Sequence, residues 1–292
     1  MTMFKHLIIS LRPWQWVKNS FVLAPLIFTN QFMNIRLGLK FLAGFGVFSI
    51  FASTVYLIND IADREKDRAH PLKKNRPIAA GKLSVSFAVA TAVIMLAVAI
   101  PLAYLVDKQF FVISLIYLGL NFAYSFGFKK LIIIDALCVA LGFVFRIWAG
   151  TAIANVDPTA WITLSTFFLA LFLVFGKRRG EMVHIDRKTY NPKTALMKYQ
   201  PQFLDSVIIV VSTCAIMCYS LFALSGYAKE KFGTEYLIAG VPFVVYGIFR
   251  YFHLIYNEEK GADPTDAVLT DFPIQIAVVG WLVTMVAVIY IF

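Results

Sequence analysis

Long apolar runs alternate with short basic stretches along the whole chain. Nine runs approach the roughly 20 residues an α-helix needs to cross a ~30 Å hydrocarbon layer. They cover about 17–33, 37–58, 85–106, 109–128, 131–154, 159–176, 206–225, 235–257 and 272–292. Lys18 and Asn19 interrupt the start of the first, and the sixth is short. The pattern predicts an all-α polytopic membrane protein of about nine transmembrane helices. Polar positions gather in two longer stretches, about 59–84 and 177–205, which follow spans two and six. That spacing of four spans hints at a duplicated four-helix unit, although no sequence repeat supports it. No linker divides the chain, so residues 1–292 are expected to form a single transmembrane domain.

Composition agrees. The 292 residues are 60% hydrophobic and 15% charged, against roughly 25% charged in a soluble protein, and mean hydropathy is +0.73. A soluble globular fold is excluded. Met1–Ser10 lacks the features of a cleaved signal peptide. Cys138, Cys214 and Cys218 lie within apolar runs and suit small buried hydrophobes rather than disulfides or zinc ligands. The net charge of +10 does not point to nucleic acid, because it sits in short inter-span loops. With the N-terminus inside, twenty of the 27 Lys and Arg residues fall on the cytoplasmic side and five outside. The positive-inside rule then places the N-terminus in the cytoplasm and the C-terminus outside, in a bacterial inner membrane.

Candidate chemistry begins at the end of the second run, in Asn59-Asp60-Ile61-Ala62-Asp63-Arg64-Glu65-Lys66-Asp67. Read as helix, Asn59 and Asp63 are four apart, Asp60 and Asp63 three apart, and Asp63 and Asp67 four apart, so they share one face. Stacked like charges repel. Mg²⁺ with a diphosphate rationalises them, since Mg²⁺ takes carboxylate oxygens together with substrate phosphate oxygens. Past them, Pro71 and Pro77 constrain a loop bearing Lys73, Lys74 and Arg76. These cations suit either phosphate or a solvated positive-inside loop.

Asn59-Asp60-x-x-Asp63-x-x-x-Asp67-Arg68, followed by Lys74-x-Arg76-Pro77-Ile78-Ala79-Ala80-Gly81, resembles the first aspartate-rich motif of the UbiA superfamily of intramembrane prenyltransferases. The resemblance covers essentially the whole chain and implies a cytoplasm-facing active-site cavity. Arg12-Pro13-Trp14-Gln15-Trp16-Val17-Lys18-Asn19 and Phe175-Gly176-Lys177-Arg178-Arg179-Gly180-Glu181 resemble its decaprenyl-phosphate phosphoribosyltransferase branch. That branch is implied to transfer 5-phosphoribosyl from phosphoribosyl diphosphate to a polyprenyl phosphate. Partners are then those two substrates and the bilayer, with no nucleic acid; self-association into a homo-oligomer stays open.

The second loop adds a charge argument. Typical members of the superfamily carry a second Asp-x-x-x-Asp motif there, whereas this chain has Lys177-Arg178-Arg179, with Glu181 and, further on, Asp186 as acids. One metal cluster facing one basic cluster suits substrates richer in phosphate than a single diphosphate. Asn59, Asp60, Asp63 and Asp67 are the expected Mg²⁺ ligands, and Asp60, Asp63 and Lys177 the expected catalytic residues. Lys18, Lys74, Arg76, Tyr124, Lys129, Lys130, Asp135, Arg146, Arg178 and Glu181 are the expected substrate-binding set. Asp135 is expected to orient Lys129, Lys130 or the ribose hydroxyls. Arg146 either faces the cavity or snorkels to the external surface, and Arg250 suits an interfacial position. Gly261-Ala262-Asp263-Pro264-x-Asp266-x-x-Leu269-x-Asp271-Phe272-Pro273 resembles the same branch, although a polar turn explains its acids better than a role at the cavity rim. The runner-up is an ordinary prenyltransferase moving a prenyl group to an aromatic or other small acceptor.

Overall fold

In the computed structural model, residues 2–29, 33–70, 73–183, 199–257 and 263–291 are described. Pro71, Asp186, Gly261 and Ala262 lie outside them. The chain forms α1 (Thr2–Leu11), α2 (Ala24–Ile27), α3 (Ile35–Ala62), α4 (Arg64–Arg68), α5 (Val85–Val106), α6 (Lys108–Phe126), α7 (Ile134–Ala154) and α8 (Ala160–Val183). Then come α9 (Pro201–Ala223), α10 (Gly226–Phe232), α11 (Val241–Tyr256), α12 (Pro264–Thr270) and α13 (Phe272–Tyr290). No strand occurs among the described residues.

Eight of these elements are long and apolar enough to cross a membrane, α11 counting together with the 3-10 turn before it. The expected first span is not among them. From Pro13 to Val22 the chain is 3-10 helix, and α2 is a single turn. Pro13 and Pro25 each open their element, and the missing N–H and the ring prevent a continuous α-helix through Pro25. A 3-10 helix rises about 2 Å per residue, so Arg12 to Ile27 reaches about 30 Å, the depth of a hydrocarbon layer.

Polar side chains step this segment along α3 in antiparallel order. Arg12 donates to Asp60 (2.5 Å), Trp16 Nε1 to Ser53 Oγ (2.9 Å) and Asn19 Nδ2 to Ser49 Oγ (3.0 Å). At the other end of the bundle the Tyr290 hydroxyl donates to the Ile27 carbonyl (3.0 Å). The sequence placed an apolar run here, at about 17–33, but gave no sign that it begins at Pro13 and is 3-10 helix to Val22.

Helix α7 is the axis. Of its membrane-crossing window 72% is buried, against 17% in α5. Ala136, Ala140 and Phe143 enter one core with α8, α9 and α11. Ala149, Ala152 and Ile153 enter another with α3, α5 and α6. Between the two lies Arg146. Its Nε donates to Asn19 Oδ1 (2.8 Å), Nη1 to the Gly142 carbonyl (2.7 Å) and Nη2 to the Tyr117 hydroxyl (3.2 Å). The rings of Phe48, Tyr117 and Phe143 surround its guanidinium. Arg146 therefore does not snorkel outward. It fastens the 3-10 segment to α6 and α7, which offsets the insertion cost, on the order of 3 kcal/mol, of a charge at this depth. Arg250 is likewise tied, donating to both carboxylate oxygens of Asp271 (3.2 and 2.7 Å).

The 3-10 segment lies so close to α7 that a Cβ on Gly150 would fall 2.2 Å from the Val22 carbonyl oxygen and 2.9 Å from Pro25 Cγ. At Gly46 nothing lies within 4 Å. Gly150→Ala should therefore cost about 2 kcal/mol or more by overpacking. Gly46→Ala should be neutral or stabilising by up to about 1 kcal/mol of helix propensity. Thermal unfolding of both variants in the same detergent checks the contrast.

Candidate active site

Helix α3 ends at Asp63, whose φ of −97° and ψ of 4° leave the helical path, and α4 begins at Arg64. In one continuous helix, seven residues would hold Asp60 and Asp67 about 10 Å apart along the axis. The break brings both onto one partner: Arg76 Nη1 donates to Asp60 Oδ1 (3.0 Å) and to Asp67 Oδ2 (2.7 Å). Asp60 also accepts from Arg12, which adopts a left-handed φ of 52° before Pro13 and lies over the Tyr56 ring. Such backbone costs of order 1–3 kcal/mol and persists where neighbours over-determine it. Asp63 turns to Lys129, whose Nζ reaches both its oxygens at 2.8 Å. Asn59 Oδ1 is buried without a hydrogen-bond partner.

The sequence suggested three loop cations at 177–179. The structure instead continues α8 to Val183, and at about 100° per residue the three side chains diverge. Lys177 lies 3.6 Å from Asp263 and 4.0 Å from Glu181. Arg178 is committed to Asp135 at 2.5 Å. Arg179 donates to Asp205 (2.7 Å), which also accepts from the Tyr256 hydroxyl (2.6 Å).

Around Asp135 every polar atom has work. The Tyr199 hydroxyl donates to Asp135 (3.1 Å) and accepts from Arg178 (2.8 Å) and from the Ile133 N–H (2.7 Å). Burial raises the Tyr199 pKa above its ordinary value, which keeps the hydroxyl protonated for its donor role. Ile133 itself holds a φ of 69°, unusual for a β-branched residue. Asp135 is thus a buried anchor between α7 and α8, and the expected pairing with Lys129 or Lys130 is not made.

Lys18, on the 3-10 segment, lies within electrostatic reach of Lys177, Asp263, Arg146 and Arg12. Tyr124 near the end of α6 is in reach of Arg178, Asp135 and Asp63. Lys74 and Lys130 are exposed, on the 3-10 turns Lys73–Asn75 and Phe128–Lys130. Lys74 makes no ion pair among the described residues. Burial alone would raise the Asp263 carboxyl, but Lys177 and the Thr265 N–H outweigh it and hold its pKa below the usual value.

The donors fit a hard divalent cation. Asn59, Asp60, Asp63 and Asp67 offer only oxygen, and the orphaned Asn59 oxygen is an acceptor awaiting a partner. The carboxylates themselves are turned onto Arg and Lys. Among the described residues no three acids converge as a formed metal centre.

Arg12, Asp263, Tyr199 and Asp205 carry contacts here that the expected site set lacks. Arg12 and Asp263 stand in stretches whose resemblance was legible, yet neither the left-handed turn nor the pairing across 48 residues can be read from spacing.

The described residues form an all-helical, multi-pass membrane bundle with paired acidic and basic side chains at the ends of its spans. A profile of the UbiA prenyltransferase family matches residues 21–269, and the chain belongs to that family. A decaprenyl-phosphate phosphoribosyltransferase of Corynebacterium glutamicum is 36% identical over 288 residues, covering 97% of this chain and 86% of its own. The protein of that name from Mycobacterium tuberculosis is 31% identical over 282 residues, 94% and 91% of the two chains. The structure of a UbiA homolog from Archaeoglobus fulgidus bound to GPP and Mg²⁺ shares the fold. Its TM-score is 0.72 at 21% identity, over 97% of this chain and 99% of the other.

Burial, stronger than the opposing pull of Arg76 and Lys73, raises the Asp67 pKa above its ordinary value. Its charged form is therefore less favoured in the folded than in the unfolded chain. The resulting cost is present above the raised folded value and fades as pH falls to the unfolded value near 4. Metal-free Asp67→Asn should match or exceed native thermal stability at neutral pH, and the gain should shrink on acidification. A marked loss of stability at pH 7 would contradict this.

Proposed function

We propose that the chain transfers the 5-phosphoribosyl group from phosphoribosyl diphosphate to a polyprenyl phosphate, with Mg²⁺ as cofactor. The observation that carries this reading is the pairing of two walls. One wall has four oxygen donors, Asn59, Asp60, Asp63 and Asp67. The other presents Lys177 and Lys18 where a second metal-binding acid pair would otherwise stand. The near-full-length relatives named decaprenyl-phosphate phosphoribosyltransferase support it.

The reaction breaks the bond between the anomeric carbon and the diphosphate oxygen, and forms a bond from that carbon to an acceptor phosphate oxygen. The diphosphate leaves with the electron pair. Bound Mg²⁺ would supply Lewis-acid stabilisation of the leaving oxygens, and Asn59, Asp60, Asp63 and Asp67 would hold it. Arg12, Arg76 and Lys129 already face those carboxylates and are placed to take phosphate charge. Lys177 and Lys18 answer the additional monoester, with Asp263 holding Lys177 in register. The acceptor needs no general base, because a phosphate monoester is ionised near neutral pH, its second pKa being about 6. Arg178 and Asp135 act as an anchor, and we assign neither to substrate. The site faces the cytoplasm, with the N-terminus inside and the C-terminus outside, as the distribution of basic residues supports.

Purified protein incubated with phosphoribosyl diphosphate, Mg²⁺ and decaprenyl phosphate should yield lipid-linked phosphoribose by mass spectrometry. Turnover only on a prenyl diphosphate with an aromatic acid would replace this reading by the prenyltransferase one. Asp63→Asn should lower kcat by about two orders of magnitude, the scale of lost charge stabilisation at a reacting centre, while leaving the protein folded. Lys177→Ala should mainly raise KM for a phosphorylated substrate, by roughly 10- to 150-fold if one charge-assisted contact of about 1.5–3 kcal/mol is lost.

A further inference from the structure

Asp60 and Asp67 belong to different helices, yet one nitrogen, Arg76 Nη1, joins them at 3.0 and 2.7 Å. A single positive centre bridging two carboxylates does what a divalent cation would do in the same cluster. Around it, Arg12 shares the Asp60 oxygen and Lys129 holds both oxygens of Asp63, while Asn59 Oδ1 stays buried without a partner. From this geometry we infer that Arg76 is a placeholder cation. It gathers Asp60 and Asp67 in the metal-free chain and releases them when Mg²⁺ arrives together with a diphosphate, to whose oxygens its guanidinium then turns. The inference rests only on the metal-and-diphosphate part of the proposed function, and not on ribose or lipid.

Charge balance gives the device its consequence. Asp60, Asp63 and Asp67 are met by Arg12, Arg76 and Lys129, with Lys66 also 3.6 Å from Asp63. Mg²⁺ alone adds two positive charges to carboxylates already fully matched by cations and must displace Arg76 from two of them. Diphosphate alone brings negative charge beside three carboxylates that already hold the available cations. Bound together, the metal takes the carboxylates and the freed cations take the phosphates, so each ligand removes the other's obstacle. The two should therefore bind with positive coupling, each raising the affinity of the other by the same factor, in the range of about 5- to 150-fold. Arg76 suits the exchange because its planar fork serves carboxylate and phosphate alike.

The test is calorimetric titration of the detergent-solubilised full chain with Mg²⁺, with and without saturating inorganic diphosphate, correcting free Mg²⁺ for the soluble complex. In the native protein diphosphate should tighten Mg²⁺ binding at least about fivefold. Arg76→Gln should bind Mg²⁺ alone more tightly than native and lose most of the enhancement by diphosphate. Lys82→Gln, which removes an exposed cation from the same stretch between α4 and α5, should leave Mg²⁺-only affinity unchanged. If Arg76→Gln does not fold, Arg76→Lys serves, keeping the charge without the fork and losing only part of the coupling. Native protein without coupling overturns the inference, as does a folded Arg76→Gln with unaltered Mg²⁺-only affinity, or an equal gain in Lys82→Gln. Coupling without phosphoribosyl transfer would instead overturn the proposed donor and acceptor while leaving the placeholder role standing.

Discussion

A carboxylate lodged at the end of a membrane bundle, where water is scarce, is met by a cation, and this demand organises one end of the molecule. Asp60 is met by Arg12 and Arg76, Asp63 by Lys129, Asp135 by Arg178, Asp205 by Arg179 and Asp263 by Lys177. Each pair also joins separate elements. The N-terminal segment is bound to α3, the turn before α7 to α3, α7 to α8, and α8 to α9. The electrostatics of the site and the closure of the bundle at that end are one arrangement.

Buried ion pairs are weak stabilisers, because desolvation costs several kcal/mol per ion and their mutual attraction repays it only in good geometry. That weakness divides the pairs into two kinds. The Asp135–Arg178 pair is completed by Tyr199 and the Ala136 N–H, so its hydrogen bonds are rigidly apportioned. The pairs of Asp60, Asp63 and Asp67 have the orphaned Asn59 oxygen beside them and a raised Asp67 pKa. The first kind holds the scaffold. The second keeps an open acceptor and a carboxylate whose charge burial disfavours, which suits groups that the proposed metal would re-partner.

Much of this was legible in the sequence. Apolar run length located the eight long helices, most to within five residues, although α8 runs seven residues past its expected end; the Asn59–Asp67 cluster was visible because stacked like charges have no structural use in an isolated helix. Other features were hidden for identifiable reasons. The expected first run, about 17–33, is 3-10 helix as far as Val22, a conformation that apolar run length does not distinguish from α-helix. The basic triplet at 177–179 looked like one loop cluster, but helix geometry sends its members to Asp263, Asp135 and Asp205 in turn. Long-range partners left no local trace: Lys129 meets Asp63 across 66 positions and Tyr199 meets Asp135 across 64.

The divergence of that triplet sharpens the argument about the donor. With all three cations facing the site, the wall opposite the metal ligands would be an arginine fork, geometrically selective for a fixed anion. With Arg178 and Arg179 engaged elsewhere, the wall is made by Lys177 and Lys18, and Asp263 limits its net charge. Ammonium groups on flexible stems act as point charges with little directional preference. Under the proposed reaction, a monoester on that wall must stay bound while the anomeric carbon moves from one oxygen to another. Point charges tolerate such a shift, whereas a rigid bidentate clamp would resist it. Under that reaction the chain would place its directional cations, Arg12 and Arg76, on the leaving group and its mobile ones on the part of the substrate that travels.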